Sequence, residues 1–267
     1  MLRSIGKLFV LTCVLALMSG TAPAWADVTL YSTSFENPPF TTGAVSGQDG
    51  WNSFGPGTPA VVNFFADTGS QSVFVDGSVK SQSGPYHADT STGPLIDLSA
   101  DLAIFTSSTQ SDWQFGALGP GLVGFLGGIN ILSDGSIDTI TASPTKIGTF
   151  TRATGFNSNA WVNVNLLFDI ATQTYDISVG GVLLDSNVPF CGSNGACTGA
   201  VLSTYGDGLF DSFGGGNDSG YIDNYSVTVV SASVPEPSSV LLLLTTLGTF
   251  GIVLRRRFSA GIGMASR

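Results

Sequence analysis

Apolar side chains that recur at every second position restrict the possible folds of this chain more than any other feature of its sequence. Residues 161–170 read WVNVNLLFDI, with one apolar face formed by Val162, Val164, Leu166, Phe168 and Ile170. Successive side chains of a β-strand point to opposite faces, so this pattern predicts a strand with one buried face. A short turn, a second alternating run and the Gly180-Gly181 pair follow, which predicts a three-stranded meander over residues 161–184.

Further runs of the same kind indicate that the rest of the domain is also built of strands. They lie at residues 28–36, 60–66, 72–75, 102–107, 122–132, 137–141 and 221–229. Between residues 27 and 234 no segment has the sustained apolar stripe of an amphipathic helix. We therefore predict one all-β domain over residues 27–233, with two packed antiparallel sheets.

The first 26 residues have the order of a secretory signal peptide. Arg3 and Lys7 precede an apolar run at 8–18, and Ala24 and Ala26 form a small-residue cleavage site. The apolar run is shorter than the roughly 20 residues of a spanning helix, so an uncleaved anchor is the weaker alternative. We expect residues 1–26 to form an N-terminal signal helix that directs export through the Sec machinery and is removed by signal peptidase.

The predicted domain is strongly acidic. Residues 27–234 contain three cationic residues, Lys80, Lys146 and Arg152, against eighteen of the nineteen acidic ones, which gives a formal charge of −15. Such a surface repels phosphate backbones and anionic headgroups, so we expect no nucleic-acid partner. The charge is compatible with plain solubility or with the binding of divalent cations.

Few residues of the domain are suited to catalysis. Glu36 is the single glutamate before the C-terminal segment, His87 is the single histidine, and no serine has glycine at both the −2 and +2 positions. The sequence therefore offers no glutamate pair, no histidine pair for zinc and no nucleophile elbow. We predict no catalytic residues and no enzymatic activity, with an aspartate pair as the remaining alternative, and we expect His87 to be a solvated loop residue.

Cys191 and Cys197 are the two cysteines that remain once residues 1–26 are removed, and they lie in the stretch CGSNGAC. In an exported protein, two nearby thiols in a Gly-rich loop favour a disulfide, which contributes about 2 kcal/mol for so small a loop. Their spacing is not C-x-x-C, which disfavours a redox role.

Trp51 and Trp113 both have polar or acidic neighbours in the sequence. An exposed tryptophan can stack on the apolar face of a sugar ring, whereas a buried one fills the space between two sheets. We favour burial for both tryptophans and keep sugar stacking as the alternative.

The segment that follows the domain has three parts. Pro235, Glu236 and Pro237 come first, an apolar run at 238–254 follows, and a basic cluster ends the segment: Arg255, Arg256 and Arg257. The apolar run would span about 26 Å as a helix, the short end of a transmembrane helix, and the arginines would hold its end on the cytoplasmic side. The prolines keep the peptide around Glu236 extended and accessible to a partner.

This order of signal peptide, VPEP, apolar helix and basic cluster resembles the PEP-CTERM sorting signal of Gram-negative bacteria that make exopolysaccharide. The resemblance implies that an exosortase, a membrane protease-transpeptidase, recognises the motif at 234–237 within the signal at 234–257. The enzyme then removes the transmembrane helix and releases the domain to the outer surface or extracellular matrix, so the inner membrane is a transient partner. The tail at 258–267 extends beyond the usual end of such signals, and an unprocessed membrane anchor is the alternative.

Three stretches of the domain resemble the jelly-roll β-sandwiches of the concanavalin A-like and laminin-G-like group: SFENPPFTTGAVSGQDGW, WVNVNLLFDIATQTYDISVGGVLL and GYIDNYSVTV. The galactose-binding-like jelly roll of carbohydrate-binding modules begins and ends in a similar way. Either resemblance implies a jelly-roll antiparallel β-sandwich whose first and last strands lie side by side, with Glu36 near Asp223. The resemblance also implies a structural Ca²⁺ held by these two residues; the alternative places Asp223 in a turn or at the surface.

Localisation and fold together favour two functions. The first is a structural or adhesive protein of the cell envelope or of an exopolysaccharide or biofilm matrix. The alternative is a carbohydrate-binding, lectin-like module that recognises polysaccharide. Polysaccharide degradation is the weakest of the three hypotheses, because the paired glutamates of the glycosidases that share this fold have no counterpart here.

Overall fold

The structure is a computed structural model, and it describes residues 26–156, 160–192, 197, 199–200 and 202–231. Within these residues it contains sixteen β-strands and no α-helix, which confirms the predicted all-β class. This part of the chain has no helix of the length and apolar character needed to cross a membrane. The predicted signal helix, transmembrane helix and basic cluster lie outside the described residues.

The strands, numbered in chain order, form two antiparallel sheets. The nine-stranded sheet contains β1 (Val28–Thr33), β2 (Gly43–Ala44), β4 (Ala60–Val62), β5 (Ser72–Asp76), β7 (Leu95–Ile104), β12 (Val162–Asp169), β13 (Thr174–Val179), β14 (Val182–Pro189) and β16 (Ser219–Val230). The seven-stranded sheet contains β3 (Trp51–Phe54), β6 (Gly84–Ser91), β8 (Asp112–Gly119), β9 (Val123–Ile131), β10 (Ser136–Thr139), β11 (Lys146–Thr149) and β15 (Tyr205–Phe213).

Strands from distant parts of the sequence are neighbours in both sheets. The nine-stranded sheet has the order β14-β13-β12-β7-β16-β5-β4-β2, with β1 also paired to β16, and the seven-stranded sheet has the order β11-β10-β9-β8-β15-β6-β3. Residues 27–231 form one compact unit with its own core. This segment can therefore be studied by itself.

The first and last strands lie side by side, as the resemblance implied. β1 is antiparallel to β16, with Val28 opposite Val229 and Thr33 opposite Tyr225. β5 pairs with the beginning of β16 along the same edge, and β7 pairs along the other edge. The register of β16 shifts just after Asp223, at the point where its partner changes from β5 to β1.

The structure confirms the predicted meander. Strands β12, β13 and β14 are consecutive neighbours, with Leu166 of β12 opposite Ile177 of β13. Gly180 and Gly181 form the turn between β13 and β14, and both have positive φ, a conformation that glycine adopts without steric cost.

The core lies between the two sheets and takes one face of each. From the nine-stranded sheet it includes Leu98 and Leu166, and from the seven-stranded sheet Trp113, which stacks on Phe210 with 5.3 Å between ring centroids. Trp51 and Trp113 both have an exposed fraction of 0%. The prediction that both are buried is confirmed, and sugar stacking on either one is excluded.

Candidate functional site

The structure brings Glu36 and Asp223, the two residues of the predicted calcium site, to the same loop between β4 and β5. The Glu36 carboxylate accepts hydrogen bonds from the backbone N–H groups of Ser70 (2.7 Å) and Gln71 (2.8 Å). The Asp223 carboxylate accepts from the backbone N–H groups of Asp67 (2.9 Å) and Thr68 (3.2 Å). Glu36, three residues beyond the end of β1, therefore binds the loop at residues 70–71. Asp223, in the middle of β16, binds the same loop at residues 67–68.

The hydrogen bonds lower the pKa values of these two carboxyl groups, whereas burial raises them. Burial raises the pKa of Glu36, but the N–H and hydroxyl groups of Ser70 and the N–H of Gln71 outweigh it and hold the pKa below its usual value. Asp223 is fully buried, and burial raises its pKa to about 7 despite three N–H donors. Glu36 is therefore charged at neutral pH, whereas Asp223 titrates near neutrality.

Asp67 and Asp101 lie close to Asp223, which the sequence did not indicate. Asp101 of β7 stands opposite Asp223 of β16, and the side-chain amide of Asn224 donates to Asp101 (2.8 Å) and to Asp67 (3.0 Å). Burial and the neighbouring Asp101 charge raise the pKa of Asp67. The Asn224 amide thus lies between two acidic side chains and reduces the repulsion between them.

The residues present fit a calcium ion in part. Within the described residues, Glu36 Oε2 and Asp223 Oδ1 each accept one hydrogen bond, so each retains one position for a cation, to which loop carbonyl groups could add. In the same part of the chain, no group of three or more His, Cys, Asp or Glu side chains is arranged to hold a metal ion. A calcium site here remains a proposal.

The structure joins Cys191 to Cys197 by a disulfide. The segment that begins at Cys191 pairs with β9: the N–H of Cys191 donates to the carbonyl of Leu126, and Phe125 and Gly192 exchange two backbone hydrogen bonds of 2.9 and 2.8 Å. The disulfide therefore joins Cys197 to a segment that pairs with β9.

The expectation that His87 is a solvated loop residue is wrong. His87 lies in β6 with an exposed fraction of 6%, and its ring stacks on Tyr31 with 3.7 Å between centroids. Its Nδ1 is 2.8 Å from the Asp89 carboxylate and its Nε2 is 3.1 Å from the backbone carbonyl of Asp49. The imidazole is thus held in place by the packing of β1 against β6.

A row of polar side chains crosses the face of the seven-stranded sheet that points away from the core, which we call the outer face. Asp211 of β15 stands opposite Gln114 of β8, and Gln114 stands opposite Asn130 of β9. Their sequence neighbours Trp113 and Phe210 are core residues, so these three side chains point outward.

Amide hydrogen bonds connect most of this row. Gln82 Nε2 donates to Gln114 Oε1 (2.8 Å), and Gln114 Nε2 donates to Asn130 Oδ1 (2.9 Å). We call Gln82, Gln114, Asn130 and Asp211 the polar row. The bonds fix the orientation of each amide, so the row presents donors and acceptors in set directions.

An apolar pocket of about 240 Å³ adjoins the polar row at Gln82. Its walls are formed by that side chain and by residues of β3, β8, β9, β15 and the loop before β9: Phe54, Leu118, Leu122, Gly124, Phe125 and Leu209. Tyr86, which is half-buried, stands beside Phe54 with 6.2 Å between ring centroids. Apolar walls next to a few fixed polar groups are typical of small-ligand sites.

Asp211 is the unusual member of the row. It has an exposed fraction of 0%, and neither of its carboxylate oxygens has a hydrogen-bond partner. Burial raises the pKa of Asp211 well above its usual value, and the nearby Gln82 amide lowers it by less. Burial therefore favours the protonated, neutral form of this carboxyl group.

A family model described as the PEP-CTERM protein-sorting motif matches residues 233–257. The chain carries a PEP-CTERM sorting motif. The match covers the predicted signal at 234–257, including Pro235, Glu236, Pro237 and the basic cluster, all outside the described residues. A PEP-CTERM motif indicates export and sorting at the membrane of a bacterium.

Solved structures similar to this chain share its fold at low sequence identity. A carbohydrate esterase from Shiga toxin-encoding bacteriophage phi24B is 15% identical over 77% of this chain and 100% of its own, with a TM-score of 0.51. The carbohydrate recognition domain of Emp47p is 10% identical over 79% of this chain and 100% of its own, with a TM-score of 0.48.

A sialidase is 11% identical over 74% of this chain, with a TM-score of 0.49, and the chain spans 19% of the sialidase's length. No curated protein matches the chain. The likeness to the phage esterase supports a β-sandwich fold, and the site must be interpreted from its own geometry.

Proposed function

We propose that this chain is an exported protein that an exosortase sorts to the cell envelope or extracellular matrix, where its β-sandwich binds polysaccharide. The PEP-CTERM motif supports the sorting step and its enzyme. The polar row beside the apolar pocket on the outer face is the observation that carries the binding function. A domain of this kind would attach matrix polysaccharide to the cell surface, which is the adhesive role.

The chemistry of the outer face suits a sugar. A pyranose ring has apolar C–H faces and equatorial hydroxyl groups that both donate and accept hydrogen bonds. The Gln114 and Asn130 amides can do the same, and the Phe54 and Tyr86 rings offer apolar surface next to them. Because the amides are already held by one another, little side-chain entropy is lost when they bind.

Binding is favoured over hydrolysis by the residues of the site. A glycosidase needs two carboxyl groups on either side of the scissile bond. Asp211 is buried beneath the face, and its diagonal neighbour on β8, Asp112, is bonded to the backbone N–H of Ser133, so the two do not form an open carboxyl pair. We therefore assign the outer face a recognition function, in which the half-buried Asn130 contacts the sugar and the buried Gln114 orients the Asn130 amide.

The test is a glycan array of hexose, hexosamine and uronic acid oligosaccharides probed with residues 27–231. Gln114→Ala and Asn130→Ala should each weaken binding about fivefold, which corresponds to one lost hydrogen bond. Asn163→Ala is the matched control, because Asn163 is an exposed amide on the nine-stranded sheet. Binding that is unchanged in both outer-face variants, or absent for the wild type on every glycan, would contradict the proposal.

We also propose that Glu36 and Asp223 hold a structural Ca²⁺ together with carbonyl groups of residues 67–71. The arrangement of both carboxylates on this one loop supports the proposal. A bound cation would neutralise charge at the junction of β1, β5 and β16, so its function would be to stabilise the fold.

A further inference from the structure

The domain satisfies its other fully buried aspartates but leaves Asp211 without a partner. Asp218 accepts from the Arg152 guanidinium (2.6 Å) and from Trp113 Nε1 (2.9 Å). Asp223 accepts three backbone N–H groups. Among the described residues, Asp211 is the one carboxyl group with both oxygens buried and neither bonded. Such an unmatched group is costly to bury and calls for an explanation.

The described side chains around Asp211 do not occupy the hydrogen-bonding positions of its carboxyl oxygens, so a ligand can do so. Gly84 of β6 has no side chain, and a Cβ there would lie 2.6 Å from the Asp211 Cβ, so position 84 offers no partner for the carboxyl group. Gln114 of β8 uses its amide N–H on Asn130. Gln82 is the exposed neighbour, and its side chain can move into solvent without loss of core packing.

Among the described residues, no cationic side chain forms an ion pair with Asp211 either. Arg152 is bonded to Asp218. The Lys80 stem packs against Gly215, between β15 and β16, and Lys80 forms no ion pair with any described residue. Lys146 of β11 stands opposite Asp138 of β10 and is four strands from β15, or about 19 Å at the usual strand spacing. Within the described residues, ion pairs join only Arg152 to Asp218 and His87 to Asp89. No cation in the described part of the chain is therefore paired with Asp211, which leaves the positive charge for a ligand to supply.

We propose that the outer face selects polysaccharides with free amino groups, and that a ligand ammonium group displaces the Gln82 side chain and donates hydrogen bonds to Asp211. This inference rests on the proposed polysaccharide-binding function. An ammonium group brings both the N–H donors and the positive charge that the Asp211 oxygens lack, whereas a hydroxyl group brings a donor alone. The formal charge of −15 between residues 27 and 234 acts in the same direction, because it attracts cationic polymers and repels uronic acids.

Binding of an ammonium group also moves a proton. Burial raises the pKa of the free carboxyl group and so favours its protonated form, whereas a neighbouring ammonium favours the ionised form. The proton then leaves to solvent, and the ligand keeps its own. Gln82, Gly84 and Gln114, which face Asp211, do not titrate, and Asp112 of β8 is the titratable side chain diagonal to it. Up to one proton should be released for each ammonium bound, and Asp211→Asn assigns the release to Asp211.

The experiment compares three sugars on one backbone. Hexamers of glucosamine, N-acetylglucosamine and glucose, in both β-1,4 and β-1,6 linkages, are titrated calorimetrically into residues 27–231. The glucosamine hexamer of the accepted linkage should bind at least about tenfold more tightly than the other two, as expected for a charged hydrogen bond. Repeating the titration in buffers of different ionisation enthalpy should show release of one proton.

Two variants separate the specific effect from general attraction between a polycation and an acidic protein. Asp211→Asn should abolish the preference for glucosamine and the proton release. Asp176→Asn makes the same change of charge on β13 of the other sheet and should leave both unchanged. Preference for glucosamine that persists in Asp211→Asn would overturn the inference.

The remaining outcomes distinguish this inference from the proposed function. Equal binding of all three hexamers that is weakened by Gln114→Ala would overturn the amine preference and support polysaccharide binding. If none of the three hexamers binds but other neutral glycans on the array do, the amine preference would likewise be overturned and polysaccharide binding supported. Failure to bind any glycan would contradict both.

Discussion

Asp211 makes the stability of the folded domain depend on pH. Its pKa is raised well above the usual value by burial, while in the unfolded chain it titrates near pH 4. Between these two values the folded domain holds a proton that the unfolded chain has lost, so this residue lowers the free energy of unfolding as pH rises above about 4.

Asp211→Asn removes this pH-dependent loss of stability, because the amide does not titrate and has the shape of the neutral carboxyl group. The variant should melt at a higher temperature than the wild type at pH 8, and the gain should be much smaller at pH 4.5. Thermal unfolding followed by circular dichroism at both pH values measures it, with Asp176→Asn as control. A variant that melts lower than the wild type by the same amount at both pH values would show that Asp211 has a structural partner.

Burial of individual residues was predictable where the side chain is large and apolar, as for Trp51 and Trp113. His87 was not predictable in the same way. Its burial depends on Tyr31, which stacks on it from β1, and on the contact between Asp49 and its Nε2. These partners are far from His87 in the sequence, so its polar neighbours indicated a loop instead of an enclosed ring.

Among the elements, the meander of β12, β13 and β14 was predicted because each strand has one polar and one apolar face. β15 was missed because it is covered on both faces: eight of its nine residues are buried, and they include Asp207 and Asp211. β6 and β8 were missed as well. A strand with buried polar residues has no alternating pattern, and its polar face is explained only by the strands beside it.

The junction of β1, β5 and β16 is the element that a bound calcium ion would stabilise. Because the ion binds the folded state, Ca²⁺ at a hundredfold excess over its dissociation constant should add about 2.7 kcal/mol to the free energy of unfolding. Melting of residues 27–231 in EDTA and in millimolar Ca²⁺ measures the difference. Asp223→Ala should abolish the effect of Ca²⁺, whereas Asp176→Ala should retain it. Equal melting temperatures of the wild type in EDTA and Ca²⁺ would show that the carboxylates serve the loop alone.

For the whole molecule, both ends of the described domain lie together. The N–H of Ser231 donates to the side chain of Asp27 (2.8 Å), and β1 and β16 pair beside them. The outer face belongs to the other sheet, so the residues proposed for sugar binding are separate from the point where the sorting signal continues the chain. Sorting and binding should therefore be separable by mutation.

Glu236→Ala should leave export unchanged while full-length protein accumulates in the inner membrane, because an exosortase would no longer recognise the motif. Immunoblots of inner-membrane and extracellular fractions measure this, and Asp176→Ala, which removes a carboxylate outside the motif and outside the proposed sites, is the control. Normal release of Glu236→Ala would contradict the sorting role of residues 234–237.

The sorting signal was predictable from the sequence because its parts follow one another along the chain. The candidate site was not, because Gln82, Gln114, Asn130 and Asp211 come from four separate segments. They meet only through the pairing of β8 with β9 and β15. The spacing of residues along the sequence does not reveal how distant strands align with one another.

The measurement that tests polysaccharide binding at the outer face most directly is nuclear magnetic resonance of the side-chain amide groups. Residues 27–231, labelled with ¹⁵N, are titrated with the glucose, N-acetylglucosamine and glucosamine hexamers. The NH₂ signals of Gln82, Gln114 and Asn130 should shift with at least one hexamer, while those of Asn163 and Asn165 on the nine-stranded sheet stay in place. Shifts confined to the nine-stranded sheet, or no shift with any hexamer, would contradict the account.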